Sequence, residues 1–215
     1  MKKTPREVVT LRIIAGSLRS RRLQFECDPR TRPMKDRTRE AVMNLLGGTL
    51  ENHLAFDLFG GSGVMAFEAI SRGASHAFTW EILKSGAQAI QNFAQTLQIQ
   101  SQITVLHEDV LRWSNNLEQN LEFLDLPSIP PSSIPTAEQP TTAPWVLFCC
   151  PPYALWETQG QEIKDMIKKW IQAAPARSLF AIELEVNTDL QWLPTDLEWD
   201  MRKYTPALIA IGQKD

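Results

Sequence analysis

Seven consecutive residues, Asp57 to Gly63, combine a carboxylate with three glycines and have the residue types of a ligand-binding turn. An apolar run at residues 54–56 precedes them, and apolar residues with helical spacing follow from Val64 to Ile70. This pattern predicts a turn between a strand and a helix. Glycine permits positive φ and close approach of a ligand, while the first N–H groups of a helix carry partial positive charge. We therefore expect a ligand here, with the Asp57 carboxylate beside it.

Two classes of ligand fit this turn. Gly61, Gly63 and Ala66 match the dinucleotide fingerprint, and Glu81, 18 residues after Gly63, could bind a ribose. Asp57 favours a different ligand, because a carboxylate there would repel a pyrophosphate but pair with the ammonium of an amino-acid-like molecule. S-adenosylmethionine carries such an ammonium. A nicotinamide-dependent dehydrogenase stays as the weaker alternative, and a glycine turn that serves only packing is a third reading.

Alternating strand and helix patterns position these residues from residue 54 onward. Strands are predicted at 55–59, 77–81, 103–106, 145–149, 179–186, 201–204 and 208–211, and helices at 63–72, 84–97, 111–124 and 158–173. Such alternation predicts a parallel sheet with right-handed crossovers and helices on both faces. Asp57, Glu81 and Asp109 follow three successive strands, so we expect them to meet at the carboxyl edge of the sheet, where ligands bind.

The composition indicates one large domain, or one domain with a small appendage. The chain has 215 residues, 43% of them hydrophobic, which is enough for a real core. No apolar run of 18 residues and no signal segment is visible, so a cytoplasmic location is expected. The three cysteines lack metal-ligand spacing, and neither a zinc site nor a disulfide framework is predicted.

The first 40 residues are strongly basic. They hold 12 Lys and Arg against five acids, whereas the remaining residues hold ten basic and 20 acidic side chains. Strands at 11–15 and 19–25 and a helix at 35–46 predict a basic hairpin and helix, with Arg37 and Arg39 off the apolar face and free to meet a partner. Such an arm suits a polyanion, although a solvated basic tail has the same composition.

Two boundaries follow from these patterns. We expect a basic extension of hairpin and helix at residues 1–50, suited to a polyanion, and a larger domain at 51–215 that contains the ligand-binding turn. Residues 127–144 contain six of the 14 prolines and are predicted to be a solvated loop inserted in that domain.

Five motifs together make the chain resemble the bacterial 16S rRNA guanine-N2 methyltransferases of the RsmD type. These are the segments 11–16 with 21–23, 31–33 with 36–41, 57–63, 68–74, and Pro151-Pro152-Tyr153. The resemblance implies a Rossmann-like methyltransferase fold with a mostly parallel seven-stranded sheet, S-adenosylmethionine as the methyl donor and no metal. It also implies small-subunit rRNA, or its assembling particle, as the partner of a protein that is monomeric and not bound to a membrane.

The resemblance also implies residue roles. Asp57 and the backbone from Phe59 to Gly63 would hold the methionine moiety, Glu81 the ribose and Asp109 the adenine amine. The catalytic turn would be Cys150, Pro151, Pro152 and Tyr153, with the Pro151 carbonyl accepting from the guanine amine and Tyr153 stacking on the flipped base. Seven arginines would contact RNA: Arg12, Arg19, Arg21, Arg22, Arg32, Arg37 and Arg39.

The chain departs from the family pattern at two positions. The family has Asp or Asn where this chain has Cys150, and a thiol is a weak acceptor, so the Pro151 carbonyl would do most of the orienting. A catalytically weakened protein that binds cofactor and RNA is therefore an alternative. Leu83, where the family often has a second acid, is a smaller departure.

Overall fold

The computed structural model describes residues 7–27, 33–124, 126 and 142–215 of the chain. Its strands are β1 (Glu7–Arg12), β2 (Arg22–Cys27), β3 (Leu54–Asp57), β4 (His76–Trp80), β5 (Ile103–Leu106), β6 (Trp145–Cys149), β7 (Leu179–Glu185), β8 (Glu198–Tyr204) and β9 (Ala207–Gln213). Its helices are α1 (Asp36–Leu45), α2 (Val64–Ser71), α3 (Lys84–Thr96), α4 (Val110–Trp113), α5 (Leu117–Phe123) and α6 (Tyr153–Ala173). A 3₁₀ turn, Ser114–Asn116, separates α4 from α5.

Seven strands of the described residues form one sheet in the order β5-β4-β3-β6-β7-β9-β8, and β1 and β2 form a separate antiparallel hairpin. Strands β3 to β7 are all parallel to one another, whereas β9 runs antiparallel to β7 and β8. The chain builds outward from β3 to β5 and then resumes on the other side of β3 with β6. Because the strand order reverses there, the loops after β3 and β6 diverge and leave a crevice. The predicted Rossmann-like fold with an N-terminal hairpin is confirmed.

The sheet is covered on both faces. Strands β3 and β6 are buried along their whole lengths, as expected of parallel strands between two layers of helices. The hairpin and helices α1 to α3 pack on one face. Helices α4 to α6 pack on the other, where Trp170 stands against Phe56 and its indole N–H donates to Ser114 Oγ at 2.9 Å.

Several predicted boundaries differ from the structure. The predicted helix at 111–124 is interrupted because Asn116, at φ −115° and ψ 47°, leaves the helical region. Helix α6 begins at Tyr153 rather than at Thr158, since Pro152 at its N-cap has a φ of −55° that suits a helix start, and Gln159 is non-helical within it. The hairpin strands lie further from the turn than predicted. Residues 127–141 of the predicted insertion lie outside the described residues.

A buried ion pair joins the N-terminal extension to α2. Arg39 is fully buried, and its Nε donates to Glu68 Oε1 at 3.1 Å. Its other nitrogens donate to the backbone oxygens of Met34 and Arg12 and to Asp36 Oδ1, at 3.0, 2.6 and 2.9 Å. The prediction that Arg39 is free to meet RNA is therefore wrong. Helical spacing places Arg39 off the apolar face of α1, but that side is covered by the hairpin and by α2.

A second contact holds the loop of the hairpin against α2. Gly16 has a φ of +79°, and a side chain there would collide with the Ser71 carbonyl oxygen. Ser71 Oγ donates to the Ala15 carbonyl and accepts from the Leu18 N–H at 2.9 Å, while the Ser17 N–H donates to the Ser71 carbonyl at 2.7 Å. The extension is thus attached to the main body of the fold by its backbone. Its division from that body at residue 50 stays a prediction.

We expect Arg39→Gln to lower the free energy of unfolding by about 3–5 kcal/mol, because it removes one partner from a buried ion pair. Urea denaturation measures the effect. Arg37→Gln is the matched control, since Arg37 is exposed on the same helix and should change stability by no more than about 0.5 kcal/mol. Equal stability of the two variants would show that the Arg39 network is not needed for folding.

Candidate active site

One cleft of about 1060 Å³ lies at the carboxyl edge of the sheet, over the point where the strand order reverses. It brings together most of the predicted cofactor and catalytic residues. These are Asp57, Phe59, Gly60, Gly61, Ser62, Glu81, Asp109, Cys150, Pro151, Pro152 and Tyr153. Gly63 is buried at the start of α2, just behind the cleft wall.

The glycine turn after β3 needs its glycines for two different reasons. Gly63, the N-cap of α2, has a φ of +73°, which side-chain-bearing residues rarely adopt. At Gly60 the constraint is space, because a Cβ would lie 2.2 Å from Thr79 Oγ1. The Gly60 N–H donates to the Trp80 carbonyl at 2.7 Å, which holds the turn against the end of β4. With these glycines, the backbone of the turn itself forms this wall of the cleft.

Asp57 is a buried carboxylate that lacks a full set of partners. Its side chain is 1% exposed, and Oδ2 has no hydrogen-bond partner among the described residues. The pKa of Asp57 is raised to about 7, chiefly by burial and further by the charge of Glu81, while the Ala66 backbone N–H opposes the rise. A cation placed beside Oδ2 would stabilise the ionised form.

Glu81 follows β4 and lies on the same side of the cleft. Its side chain is 9% exposed, and Oε1 accepts from the Leu83 N–H at 2.7 Å. Burial raises the pKa of Glu81, and backbone N–H groups of Leu83 and Gly61 lower it. Gly86 leaves room for this carboxylate, since a Cβ there would lie 2.8 Å from Glu81 Cγ. Leu83 itself is exposed at the rim of the cleft.

Asp109 follows β5 and caps α4. Its Oδ1 accepts from the Leu111 N–H at 2.9 Å, and its Oδ2 lies 3.8 Å from Arg112 Nε. Asp109 therefore has a structural role as an N-cap in addition to its position on the cleft. The expectation that Asp57, Glu81 and Asp109 meet at one edge of the sheet is confirmed.

The turn after β6 forms the opposite wall. Pro151 is buried, Pro152 is exposed, and the hydroxyl of Tyr153 donates to Glu183 Oε1 at 3.1 Å. Burial raises the pKa of the Cys150 thiol well above its ordinary value, and the charge of Glu183 raises it further. Cys150 is therefore protonated at neutral pH, which argues against a nucleophilic role.

Glu183 is a cleft residue that the sequence analysis missed. It lies on β7 and is partly buried, and burial raises its pKa while the hydrogen bond from Tyr153 lowers it. Glu183 and Glu185 alternate with apolar residues in β7. That alternation was a signal, because an acid inside a buried strand is unusual without a partner or a function.

The extension and the β8–β9 turn also contribute to the cleft, which the sequence analysis did not foresee. Phe25, Met34 and Lys35 of the extension line it, and so do residues 204–207. The cleft therefore continues from the glycine turn after β3 to the basic extension.

Most of the predicted RNA-binding arginines lie on the surface. Arg19, Arg21, Arg22 and Arg37 are exposed, and Arg12 Nε lies 3.6 Å from Asp36 Oδ2 with half of its side chain exposed. Arg32 lies outside the described residues, and Arg39 is buried. Five of the seven predicted arginines are therefore exposed, wholly or in part.

The part of the chain that the structure describes contains neither a group of metal ligands nor a helix that could span a membrane. There, no three His, Cys, Asp or Glu side chains are grouped so that they could hold a metal ion. None of the helices described is both long and apolar enough to cross a membrane.

Comparison with known proteins identifies relatives. The family model described as conserved hypothetical protein 95 matches residues 11–133. Ribosomal RNA small subunit methyltransferase D of Haemophilus influenzae is 34% identical over 146 residues, which are 65% of this chain and 74% of that protein. YlbH of Bacillus subtilis is 30% identical over 102 residues, so the matched region spans 47% of this chain and only 55% of that protein.

The solved structure of yhhF from Escherichia coli has the same fold. It superimposes with a TM-score of 0.70 and 21% identity, over 96% of this chain and 99% of that one. The family model covers more than half of the chain, and the match to the H. influenzae relative covers 74% of that protein. This protein therefore belongs to the conserved hypothetical protein 95 family, the RsmD-like methyltransferases.

Proposed function

We propose that this protein transfers a methyl group from S-adenosylmethionine to the N2 amine of a guanine in small-subunit rRNA. The observation that carries the proposal is that one cleft contains both predicted sites. The acids Asp57, Glu81 and Asp109 line one part of it, and the turn from Cys150 to Tyr153 lines another. The name of the H. influenzae relative supports rRNA as the substrate class.

The residues at the glycine turn fit S-adenosylmethionine. The unpartnered Oδ2 of Asp57 suits the ammonium of the methionine moiety, and Glu81 beside it suits the ribose hydroxyls. When bound, S-adenosylmethionine supplies a methyl group on a sulfonium sulfur that keeps the bonding electron pair as the new N–C bond forms. The same buried carboxylate disfavours NAD, whose pyrophosphate would lie beside the Asp57 charge.

The turn after β6 has the groups needed to hold a flipped base. The Pro151 carbonyl can accept from an exocyclic amine, and the ring of Tyr153 offers a surface for stacking. The hydrogen bond from Tyr153 to Glu183 limits rotation of that ring. Fixing the ring in advance lowers the entropy that is lost when the base binds.

The exposed arginines of the extension would bind the RNA backbone. Arg19, Arg21, Arg22 and Arg37 are exposed, and the cleft opens toward the extension that carries them. Phosphate contacts orient an RNA without reading its sequence. The extension would therefore present the RNA so that one base enters the cleft.

Methyl transfer tests the proposal directly. We expect the protein to move a radiolabelled methyl group from S-adenosylmethionine to small-subunit rRNA, assayed both as naked RNA and as an assembled particle, and nuclease digestion should yield N2-methylguanosine. A label in any other nucleoside, or none with either substrate, would refute the proposed reaction. Binding of cofactor and RNA without transfer would favour the catalytically weakened alternative.

Asp57→Asn should weaken binding of S-adenosylhomocysteine by about 1.5–3 kcal/mol, because a charge-assisted hydrogen bond is lost. The pKa of Asp57 in the free protein is about 7. Wild-type affinity should therefore rise as the pH increases through this value, whereas the affinity of the variant should not. Isothermal titration measures both, with NAD as the competing candidate. Tighter binding of NAD than of S-adenosylhomocysteine would overturn the choice of cofactor.

The same substitution should stabilise the free protein. Since the pKa of Asp57 rises from 3.8 to about 7 on folding, the folded state binds more protons between these values, and stability falls as the pH rises through this window. At pH 8 we expect Asp57→Asn to raise the free energy of unfolding by about 1–3 kcal/mol. A smaller difference near pH 4 is the internal control. A variant less stable than wild type at pH 8 would contradict the burial of an ionised Asp57.

Replacing Arg19, Arg21 and Arg22 by Gln should weaken RNA binding and make it less dependent on salt. Each lost phosphate contact should reduce the slope of log affinity against log salt by about 0.7–0.9. S-adenosylhomocysteine binding should not change. Arg177→Gln is the control, because Arg177 is exposed before β7, at the opposite edge of the sheet. An unchanged slope in the triple variant would show that these arginines do not contact phosphates.

A further inference from the structure

Glu183, on β7, lies beside Cys150, the first residue after β6. Strands β6 and β7 are parallel neighbours in which Cys149 is opposite Ile182, so Cys150 and Glu183 follow at the next position of the register. Both side chains line the cleft, at the end that also holds Tyr153. Position 150 itself offers only a thiol, which is a weak acceptor.

Glu183 has the chemistry that position 150 lacks. Its Oε1 accepts the Tyr153 hydroxyl at 3.1 Å, which fixes the carboxylate next to the aromatic ring. An ionised carboxylate has about four acceptor positions, so one hydrogen bond leaves capacity for a donor from a ligand. The titratable groups that influence this end of the cleft are acidic or neutral. Besides burial, Glu185 and Cys150 raise the pKa of Tyr153, and Glu183 and Asp57 raise the pKa of Cys150.

We propose that Glu183 is the hydrogen-bond acceptor for the guanine amine, in place of a side chain at position 150. This inference rests on the proposed function and adds a specificity-determining and catalytic residue to it. Glu183 would accept from the exocyclic amine together with the Pro151 carbonyl. A base without that amine would leave the partly buried carboxylate unpaired, which is unfavourable.

The same carboxylate would receive the proton that the reaction releases. As the amine nitrogen forms its bond to the methyl carbon, it becomes positively charged and still carries both of its hydrogens. Transfer of one of these protons to Glu183 returns the methylated amine to neutrality and leaves a neutral carboxylic acid, which later gives the proton to water. No oxidant, reductant or further reactant is needed.

A neutral thiol at position 150 is compatible with a carboxylate at position 183. A carboxylate at position 150 would stand beside Glu183 in a partly buried corner, and two adjacent like charges repel each other. With Cys150 protonated, Glu183 is free of that repulsion. One carboxylate serves the site, but it is supplied by β7 rather than by the turn after β6.

The test compares Glu183→Gln with the matched control Glu185→Gln, which lies two residues further along β7 and is exposed. In single-turnover methyl transfer to small-subunit rRNA, we expect Glu183→Gln to be slower by at least about a hundredfold, the lower end of the range for loss of a proton acceptor. Glu185→Gln should keep the wild-type rate. Cys150→Asp added to Glu183→Gln should restore the rate to within about threefold, whereas the same substitution alone should bring little gain.

A binding measurement separates recognition from catalysis. Guanosine and inosine monophosphates differ only in the exocyclic amine, so their relative affinities report its acceptor. With S-adenosylhomocysteine present at saturation, we expect wild type to prefer guanosine monophosphate by about tenfold, which corresponds to about 1.4 kcal/mol. Glu183→Gln should lose most of this preference, and S-adenosylhomocysteine affinity should be the same in all variants.

The outcomes distinguish this inference from the proposed function. If wild type transfers methyl groups to guanine and Glu183→Gln does so equally well, the inference is wrong and the proposed function stands. If Glu183→Gln is slow but keeps the preference for guanosine monophosphate, Glu183 only supports Tyr153, and the inference is again wrong. If wild type shows neither transfer nor preference, the proposed function fails and the inference fails with it.

Discussion

The buried ion pair between Arg39 and Glu68 is the contact on which the assembled cleft depends. Two charges removed from water are costly unless their hydrogen-bonding capacity is met, and here the guanidinium has four partners from three segments of the chain. Glu68 also accepts from the Ile14 N–H at 2.7 Å. The pair therefore links the hairpin, α1 and α2 in one arrangement. Apolar contacts alone would attach the extension with much less directional constraint.

This attachment matters because the extension forms one wall of the cleft. Phe25, Met34 and Lys35 face the strand ends that carry the acidic residues. Glu68 and the glycine turn both fix the position of α2. The glycine turn and the basic extension are therefore both attached to this helix. Under the proposed function, a base delivered by the RNA and a cofactor at the strand ends would meet in a defined geometry, which is a large part of what a transferase must supply.

The acidic groups around the cleft illustrate how such a site trades stability for binding. Burial raises the pKa values of Asp57, Glu81 and Glu183, because the ionised form of each carboxylate is less stable there than in water. Their positions are held by the sheet, whose strand ends converge. The proposed ligands would bring an ammonium, hydroxyls and an amine, and the ammonium would supply the partner that Asp57 Oδ2 lacks. The site is thus prepared for a ligand rather than for its own stability.

The sequence alone determined the order of the elements and the acids at three strand ends. Local signals suffice for this, because alternating strand and helix patterns permit few arrangements and the glycines after Asp57 mark the turn. The charge distribution indicated the basic extension, and the family resemblance added the predicted roles of the turn after β6. Two helix boundaries were predicted wrongly. Helix α6 begins directly after Pro152, earlier than predicted, and Asn116 interrupts the helix predicted at 111–124.

Tertiary structure decided what each charged side chain does. Arg37 and Arg39 are two residues apart on one helix, and only the packing of the hairpin and α2 makes one exposed and the other buried. Glu183 and Cys150 are 33 positions apart in the chain and become neighbours only through the register of β6 and β7. Periodicity reports which face of an element is apolar, but not which neighbour covers the other face. The partners of a buried charge are therefore known only once the elements are packed.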